Sequence, residues 1–487
     1  MADGGEHNGG AAPHDPRGLP PLPETRALRY EIMESATART FDEDLAKIAA
    51  HGFNTVIVSA FRRGQALFRC AAMEASRMAT RLRAFRDRDP LAELIHAADA
   101  LGLSVLGHAE ILNVGSAEDG RPSPILKRRP DWRLRRGSKR QAVEGLDKHR
   151  YFLNPAEEEA RRLIGDVLYE LAERYAVAGV YINDLRYPRG LTSPAQSLLA
   201  RDVDAFVRSK GGAIGHDAVL FASGGASGGA SAGAPSDASA QPLFQELQTW
   251  RNEQLNELLR YLHCRLERAN ARVWIVSQAV GPYDGQQLRT QLQGDWGLWL
   301  SQQYLDGAAP RYRFDTDREF EAALRADLQW LPEDRALYPL LDAAELQAGA
   351  RIGICRRLPL AGVIIRFFHT LQDMDWELLG ELFRRPARPT EERPYLAALS
   401  ALAECRRLLS GRPELADFFA DLLRILPAQP GPRGQALEPG LLGSAMGNLR
   451  SLESKMGDGS IPLEESEQPV HRWVGVARRC LALSLRH

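Results

Sequence analysis

Long apolar runs, an excess of charge of one sign and paired cysteines are all missing from this chain of 487 residues. No apolar stretch reaches about 18 residues, so no transmembrane helix is expected. The 62 Lys and Arg residues balance the 63 Asp and Glu residues, whereas a dedicated nucleic-acid-binding protein is usually basic. The 5 cysteines are scattered and form no CxxC pair, which argues against a disulfide framework and against a zinc ribbon.

Cofactor and export signals are also missing. No HExxH motif occurs, and no glycine-rich phosphate loop follows a strand, so we expect a protein without metal or cofactor. Residues 1–23 are rich in Gly, Ala, Pro and His and contain no signal-peptide apolar stretch. We therefore expect a disordered leader and a cytoplasmic location for the chain as written, with export only if translation starts elsewhere.

Short apolar strands alternate with amphipathic helices along most of the chain. The segments with a strand pattern are Arg26–Ile32, Val56–Ser59, Leu103–Ala109, Gly179–Ile182, Val273–Ser277, Gln303–Pro310, Ala336–Leu341 and Gly362–Phe368. Strands separated by helices predict parallel pairing through crossover helices. Their number favours a TIM-like (β/α)8 barrel over an open doubly wound sheet.

Capping patterns mark two of the helix starts. Asp89-Pro90 predicts an N-cap followed by proline at the first helical position. Thr40-Phe-Asp-Glu43 has the pattern of a capping box, which predicts a helix that begins after Thr40.

The composition divides the chain into a barrel and an appendage. We predict a barrel over residues 24–385, interrupted by a disordered Gly/Ser/Ala-rich insertion at 222–240, and a helical C-terminal extension over 386–487. Apolar stripes in that extension, such as Leu415, Phe419 and Leu422, suit packing under the barrel floor better than a dimer contact. The oligomeric state stays open.

Polar residues at the predicted strand ends are the candidates for chemistry, because TIM barrels carry their active sites at the C-terminal ends of the strands. These residues are Glu31, Glu110, Asn183, Asp184, Ser277, Asp306, Asp342 and His369. Two carboxylates that face each other across the mouth suit glycoside hydrolysis, in which one acts as acid and the other as base or nucleophile.

An ordered series of motifs over residues 24–376 resembles the glycosyl-hydrolase-like 10 domain. Gly52–Val56 reads GFNTV, Arg63–Phe68 is similar to RGxALY, Tyr151–Pro155 reads YFLNP, and Gly179–Pro188 resembles GIHLDYxRYP. The resemblance implies a TIM-like barrel of bacterial origin that acts on glycans, often cell-envelope polysaccharides.

The chain departs from this family pattern at charged positions. The Asp that ends the fourth strand in the family falls on Asn183, and Asp184 follows it. In the third-strand block HAWxN, His108 replaces the Trp and Glu110 replaces the Asn. An amide cannot ionise, so Asn183 cannot serve as a carboxylate nucleophile or as a general base.

Two interpretations remain. In the first, the site is rebuilt: Asp184 and Glu110 supply the carboxylates, His108 tunes a pKa and Asn183 hydrogen-bonds the substrate. In the second, catalysis is lost and the barrel binds a glycan or a protein partner. The further substrate-binding candidates are Arg63, Trp132, Arg186, Tyr187 and Tyr312.

A basic run covers Lys127–Arg140, in the loop after the third strand. It is either a site for an acidic glycan or another polyanion, or a solvated loop, which is the commoner role of such runs. Trp132 within it could stack on a sugar ring or fix the loop to the barrel. Arg186 could bind a substrate carboxylate in bidentate fashion. Nucleic acid is the less favoured ligand.

Overall fold

The computed structural model describes part of the chain, from residue 22 to residue 484. The segments outside the described residues are 1–21, 79–84, 86–87, 117–122, 135–149, 184, 189–199, 212–236, 270–274, 281–293, 313, 343–348, 390–393, 428–438, 465–466 and 485–487. Asp184 and most of the predicted insertion therefore lie outside them.

The central sheet is a closed parallel barrel. Its strands are β1 Thr25–Tyr30, β2 Thr55–Arg62, β3 Ser104–Glu110, β4 Gly179–Asn183, β5 Ile275–Val280, β6 Gly307–Arg311, β7 in two halves (Ala336–Leu337 and Leu340–Leu341) and β8 Gly362–Ile365. Each strand pairs with the next, and β8 pairs with β1. The first half of β7 pairs with β6 and the second half with β8, which closes the ring. The predicted TIM-like barrel is confirmed.

Helices surround the barrel and form the C-terminal region. They are α1 Ala38–Ala50, α2 Pro90–Ala100, α3 Glu158–Arg174, α4 Ala200–Ser209, α5 Asp237–Leu266, α6 Trp296–Ser301, α7 Asp317–Trp330, α8 Gly349–Arg357, α9 Asp373–Leu382, α10 Pro394–Leu408, α11 Pro413–Ile425, α12 Pro439–Gly457 and α13 Pro469–Ser484. Shorter strands are Leu22–Pro23, Gln65–Ala66, Asn113–Ser116, Arg150–Phe152 and Ala387–Arg388, and shorter helical turns are Ala71–Ala75, Pro124–Arg128, Pro130–Trp132, Glu267–Ala269 and Phe368–Thr370.

One predicted helix start is confirmed and the other is wrong. The Asp89 side chain accepts the Ala92 N–H, and Pro90 is the first residue of α2. The N-cap of α1 is Thr37, whose hydroxyl accepts the Thr40 N–H. Thr40 belongs to the first helical turn because its own hydroxyl bonds back to the Thr37 N–H, so the capping box lies three residues earlier in the chain.

The ends of the barrel domain also differ in detail from the prediction. Leu22–Pro23, at the end of the predicted disordered leader, pairs in parallel with Ala387–Arg388. Helix α5 begins at Asp237, so the last residues of the predicted 222–240 insertion are helical. In the described part of the chain, no helix combines the length and the apolar character needed to cross a lipid bilayer.

The C-terminal helices have their own buried core and lie against the floor of the barrel, the end opposite the strand carboxyl termini. Leu402, Phe419 and Leu449 belong to that core. Arg478 donates to Glu333, just before β7, and Arg479 donates 2.8 Å to the Pro359 carbonyl, just before β8. Because both acceptors precede their strands, these contacts close the N-terminal end of the barrel.

The junction between barrel and C-terminal helices predicts sensitivity to acid. Burial would raise the pKa of Glu404, but Arg385 and Arg407 outweigh burial and hold this pKa at about 2. A carboxyl pKa that is lowered by folding contributes stability above the unfolded pKa, and this contribution is lost as pH falls through the folded value. We expect the stability difference between the native chain and Glu404→Gln to be full at pH 7 and to vanish between about pH 4 and pH 2. Urea unfolding at several pH values tests this, and a difference that is independent of pH would contradict it.

Candidate functional site

Inward-facing side chains form a polar mouth at the carboxyl ends of the strands. Ala27, Ile57 and Leu106 lie in the barrel interior, and side chains two residues apart in a strand share a face. The same alternation brings polar side chains to the mouth: Glu31, Glu110, Asn183, Arg311, Asp342 and Arg366. Arg62 joins them because the register of β2 shifts after Ser59, which turns the end of this strand over. One layer deeper lie Arg29, Ser59 and His108. The side chains of β5 lie outside the described part.

Arg62 joins two carboxylates on one side of the mouth. Its Nη1 donates to Glu31 Oε2 at 2.6 Å, and its Nε lies 4.0 Å from Glu110 Oε2. The Glu110 side chain is 16% exposed, so it is held within the mouth and still reaches solvent. This arrangement fixes an accessible carboxylate at the end of β3.

His108 lies below Glu110 and is neutral. Arg29 donates to its Nε2 at 3.0 Å, and since a guanidinium has no acceptor, Nε2 is the acceptor and Nδ1 carries the proton. Burial, with the neighbouring charges of Arg29 and Arg62, holds the pKa of His108 well below its usual value. A neutral imidazole that accepts a hydrogen bond from a buried guanidinium helps to orient Arg29.

Asn183 ends β4 beside Glu110. The two residues are register partners on neighbouring strands, about 5 Å apart in a parallel sheet. Asn183 is 9% exposed, and its Oδ1 has no hydrogen-bond partner among the described residues. A buried amide oxygen without a donor is costly in the free protein, so it is suited to accept a hydrogen bond from a bound ligand.

The opposite side of the mouth carries a second ion-pair group. Asp342, just after β7, accepts hydrogen bonds from Arg311 at the end of β6 and from Arg366, just after β8. The Arg366 Nη1 to Asp342 Oδ1 distance is 3.0 Å, and all three side chains are mostly buried. Asp342 was a sequence candidate for catalysis, but here it holds two guanidinium groups in place.

Most of the other predicted binding residues are buried against protein. Arg186 donates 3.0 Å to the Tyr187 carbonyl and lies over the Phe152 ring. The Tyr312 hydroxyl bonds Asp327 on the outer side of the barrel wall. Trp132 lies in the core with Arg129 over its ring at 4.4 Å, an arrangement that fixes the loop.

The described part of the basic run makes structural contacts. Arg129 forms ion pairs with Asp131 and Glu159. Arg128 donates 3.2 Å to the Arg77 carbonyl. Residues 135–149, which include the rest of the run, are not described.

Arg63 is exposed at the rim in a strained turn. Arg62 pairs with Gln65, so Arg63 and Gly64 form a two-residue hairpin turn, with φ of +53° and +68°. Both positive values correspond to a type I′ turn, in which Asn is favoured over Arg at the first position. A Cβ on Gly64 would lie 3.1 Å from the Ser123 side chain.

We expect Arg63→Asn to raise the free energy of unfolding by about 1 kcal/mol, because Asn tolerates the left-handed region better than Arg. If Arg63 touches the substrate, the same variant lowers glycan affinity. Arg63→Ala is the control, since it keeps the strain and loses the guanidinium. Equal stability of the Asn and Ala variants would contradict the role of strain.

Sequence analysis missed the arginines inside the barrel. Arg29, Arg62, Arg311 and Arg366 all belong to the mouth or to the layer below it. Their signal was present, since Arg29 lies two residues before Glu31 and therefore on the same strand face. No group of three His, Cys, Asp or Glu side chains suited to a metal ion occurs within the described ranges.

A closed parallel barrel with carboxylates and guanidinium groups at the carboxyl ends of its strands places the molecule among the TIM-barrel proteins. The chain belongs to the glycosyl hydrolase-like 10 family, whose model matches residues 27–332. A search of curated proteins found no match.

Solved structures with a similar fold include several glycosidases. The glycoside hydrolase domain of PgaB (BpsB) from Bordetella bronchiseptica is 12% identical with a TM-score of 0.49, over 75% of this chain and 99% of that domain. The catalytic domain of a β-amylase from Paenibacillus polymyxa is 11% identical with a TM-score of 0.48, over 75% of this chain and 98% of the other. The α-galactosidase AgaB from Geobacillus stearothermophilus is 12% identical with a TM-score of 0.44, over 75% and 41%.

Proposed function

We propose that the protein hydrolyses a glycosidic bond of a bacterial polysaccharide or cell-envelope glycan at the mouth of the barrel. Glu110 and Asp184 are the proposed catalytic carboxyl groups, and Asn183 binds the substrate. The observation that carries the proposal is the register of β3 and β4, which makes Glu110 the direct neighbour of Asn183 on the inner face.

This register gives a physical meaning to the departures from the family pattern. The family motif has Asn at position 110 and Asp at position 183, and this chain has Glu110 and Asn183. The carboxylate and the amide have therefore exchanged places across one strand pair. An exchange keeps one group of each kind at the mouth, which favours a rebuilt site over simple loss of the catalytic acid.

The chemistry needs two carboxyl groups with different roles. One donates a proton to the glycosidic oxygen as the bond to the anomeric carbon breaks. The other, as a carboxylate, either removes a proton from the attacking water or bonds to the anomeric carbon before water replaces it. Arg62 lies beside the Glu110 carboxylate and stabilises its charged form, which suits Glu110 to the second role and Asp184 to the first.

The test is a panel of bacterial polysaccharides incubated with the native chain and with Asp184→Asn. We expect the native chain to release new reducing ends from at least one glycan. Asp184→Asn should bind that glycan with unchanged affinity and lower the rate at least about 100-fold, as expected for loss of a general acid or base.

A second candidate is a glycan-binding barrel without turnover, and the amide at Asn183 favours it. In this case the native chain binds a glycan of the panel and cleaves none of them. No membrane or nucleic-acid partner enters either candidate function.

A further inference from the structure

We propose that Arg29 is a positioning residue of this site: from the layer beneath Glu110, its guanidinium holds that carboxyl group in the charged form. The inference deepens the proposed function and rests on it, because it assumes that Glu110 reacts as a carboxylate. It also gives a role to His108, which stands where the family pattern has Trp.

Three side chains hold the Arg29 guanidinium inside the barrel. Its Nη2 donates a hydrogen bond to His108 Nε2 at 3.0 Å. The rings of Tyr181 and Phe367 lie 5.7 and 5.0 Å from its central carbon, Cζ. Arg29 and His108 are 5% and 1% exposed. The position of this cation relative to the strand ends is therefore fixed by the protein.

The backbone at Phe367 belongs to the same arrangement. Its φ of +58° lies in the left-handed region, which is strained for an aromatic residue. Strain of this kind persists where the surrounding structure imposes it, and it is concentrated at functional sites. Here it accompanies a ring that packs against two guanidinium groups, those of Arg29 and Arg366.

The guanidinium of Arg29 lies close beneath Glu110. His108 and Glu110 are two residues apart in β3, so their side chains share a strand face at a spacing of about 7 Å. Burial lowers the pKa of Arg29, and the carboxylates of Glu110 and Glu31 act against this change. Attraction between opposite charges is mutual, so Arg29 favours the charged form of Glu110 in turn. A guanidinium keeps its own charge over the physiological pH range.

Arg29 and Arg62 differ in their access to solvent. The Arg62 side chain is 27% exposed at the rim, where salt weakens its attraction to Glu110. Arg29 is buried, and interactions of buried charges are screened much less. We therefore expect the effect of Arg29 on Glu110 to persist in concentrated salt.

The experiment measures the titration midpoint of Glu110 by carbon-13 NMR of the full chain, with glutamate labelled at the side-chain carboxyl carbon. Glu110→Gln identifies the signal, because it removes this signal alone. Arg29→Met keeps an aliphatic chain between the two rings and removes the charge. We expect it to move the Glu110 midpoint to higher pH by about 1 pH unit or more, in low and in concentrated salt. Arg29→Lys keeps a cation and should recover part of the difference.

Arg351→Met is the matched control. Arg351 of α8 is also buried, and its Cζ lies 5.1 Å from the Phe320 ring, outside the mouth. This variant should leave the Glu110 midpoint unchanged. Thermal unfolding shows whether each variant keeps its fold. The other charged and titratable groups of the mouth remain in every one of these variants: Glu31, Arg62, His108, Tyr181, Asp184 and the ion-pair group of Asp342.

His108 provides a second test that leaves Arg29 in place. A glutamine at this position can accept the hydrogen bond from the guanidinium, whereas a leucine cannot. We expect His108→Gln to keep the native midpoint of Glu110. His108→Leu should raise this midpoint, because the guanidinium is no longer held beneath Glu110.

The inference is overturned if a folded Arg29→Met chain titrates Glu110 at the native midpoint. Where Arg29→Met does not fold, a native midpoint in folded His108→Leu overturns it. If the native chain cleaves a glycan, the acidic limb of its kcat/KM profile should also move to higher pH in Arg29→Met, because cleavage requires the ionised Glu110.

The titration needs no glycan, so the two proposals can fail separately. A raised midpoint in a chain that cleaves no glycan of the panel supports the action of Arg29 on Glu110 and contradicts the proposed hydrolysis. Cleavage by the native chain with an unmoved midpoint in Arg29→Met supports the hydrolysis and contradicts the role of Arg29.

Discussion

Replacement of Glu110 by Gln is expected to lower the rate of glycan cleavage by about 100-fold to 10,000-fold, the usual contribution of a positioned acid or base. The amide has nearly the same shape as the carboxylate and can still contact Arg62, so binding and folding should be preserved. Initial rates of reducing-end release, together with calorimetric affinity for the same glycan, measure both properties.

Glu31→Gln is the matched control for this variant. Glu31 is also a partly exposed carboxylate at the mouth and is bound to the same Arg62 at 2.6 Å. It lies at β1, away from the Glu110–Asn183 pair, so its loss should have a much smaller effect on the rate. If the two variants lower the rate of cleavage equally, the loss comes from removing a carboxylate partner of Arg62, and not from the position of Glu110 beside Asn183.

Replacement of Glu24 by Gln is expected to destabilise the fold by about 3–5 kcal/mol, the cost of breaking a buried ion pair. Glu24 lies at the barrel floor and is 1% exposed. It bonds Arg26 and Arg356 at 2.9 and 3.0 Å, and Arg472 of α13 at 3.3 Å. Burial would raise the pKa of Glu24, but the three guanidinium groups hold this pKa well below its usual value. Without the carboxylate, these charges would repel one another at the contact between barrel and α13.

Urea unfolding at pH 7 measures this loss. Glu43→Gln is the control, because Glu43 pairs with Arg39 on the exposed face of α1, where solvent screening leaves an ion pair with little effect on stability. If Glu24→Gln unfolds at the same urea concentration as the native chain, Glu24 does not join α13 to the barrel.

The barrel was predictable from the sequence because its signal is local. Each strand is a short apolar run, and the helices between the strands have apolar stripes. Their ends are also marked in the sequence, as by the N-cap Asp89 before α2 and by Gly102 after it. Strand order then follows from the preference for right-handed parallel crossovers. The seventh strand, predicted as one segment, differs from the prediction, because β7 breaks at Tyr338 and Pro339 into two short halves that pair with different neighbours.

The site was only partly predictable. The sequence predicted that Glu31, Glu110, Asn183 and Asp342 lie at the mouth, because position along a strand can be read from the sequence. The sequence could not show that Asp342 forms ion pairs with two arginines from neighbouring strands, since this pairing depends on the register of β6, β7 and β8. The same limit applies to Trp132 and Tyr312, whose aromatic side chains fit a sugar site and a hydrophobic core equally well until their burial is known.

The exchange of carboxylate and amide between β3 and β4 is the central claim, and a pair of variants tests it directly. Glu110→Asn alone removes the carboxylate from both positions and should abolish glycan cleavage. Adding Asn183→Asp to it gives the family arrangement, and we expect this double variant to regain cleavage at least about tenfold above the single variant, with unchanged glycan affinity. A folded, glycan-binding double variant that is as inactive as Glu110→Asn, or a single variant that cleaves at the native rate, would contradict the claim.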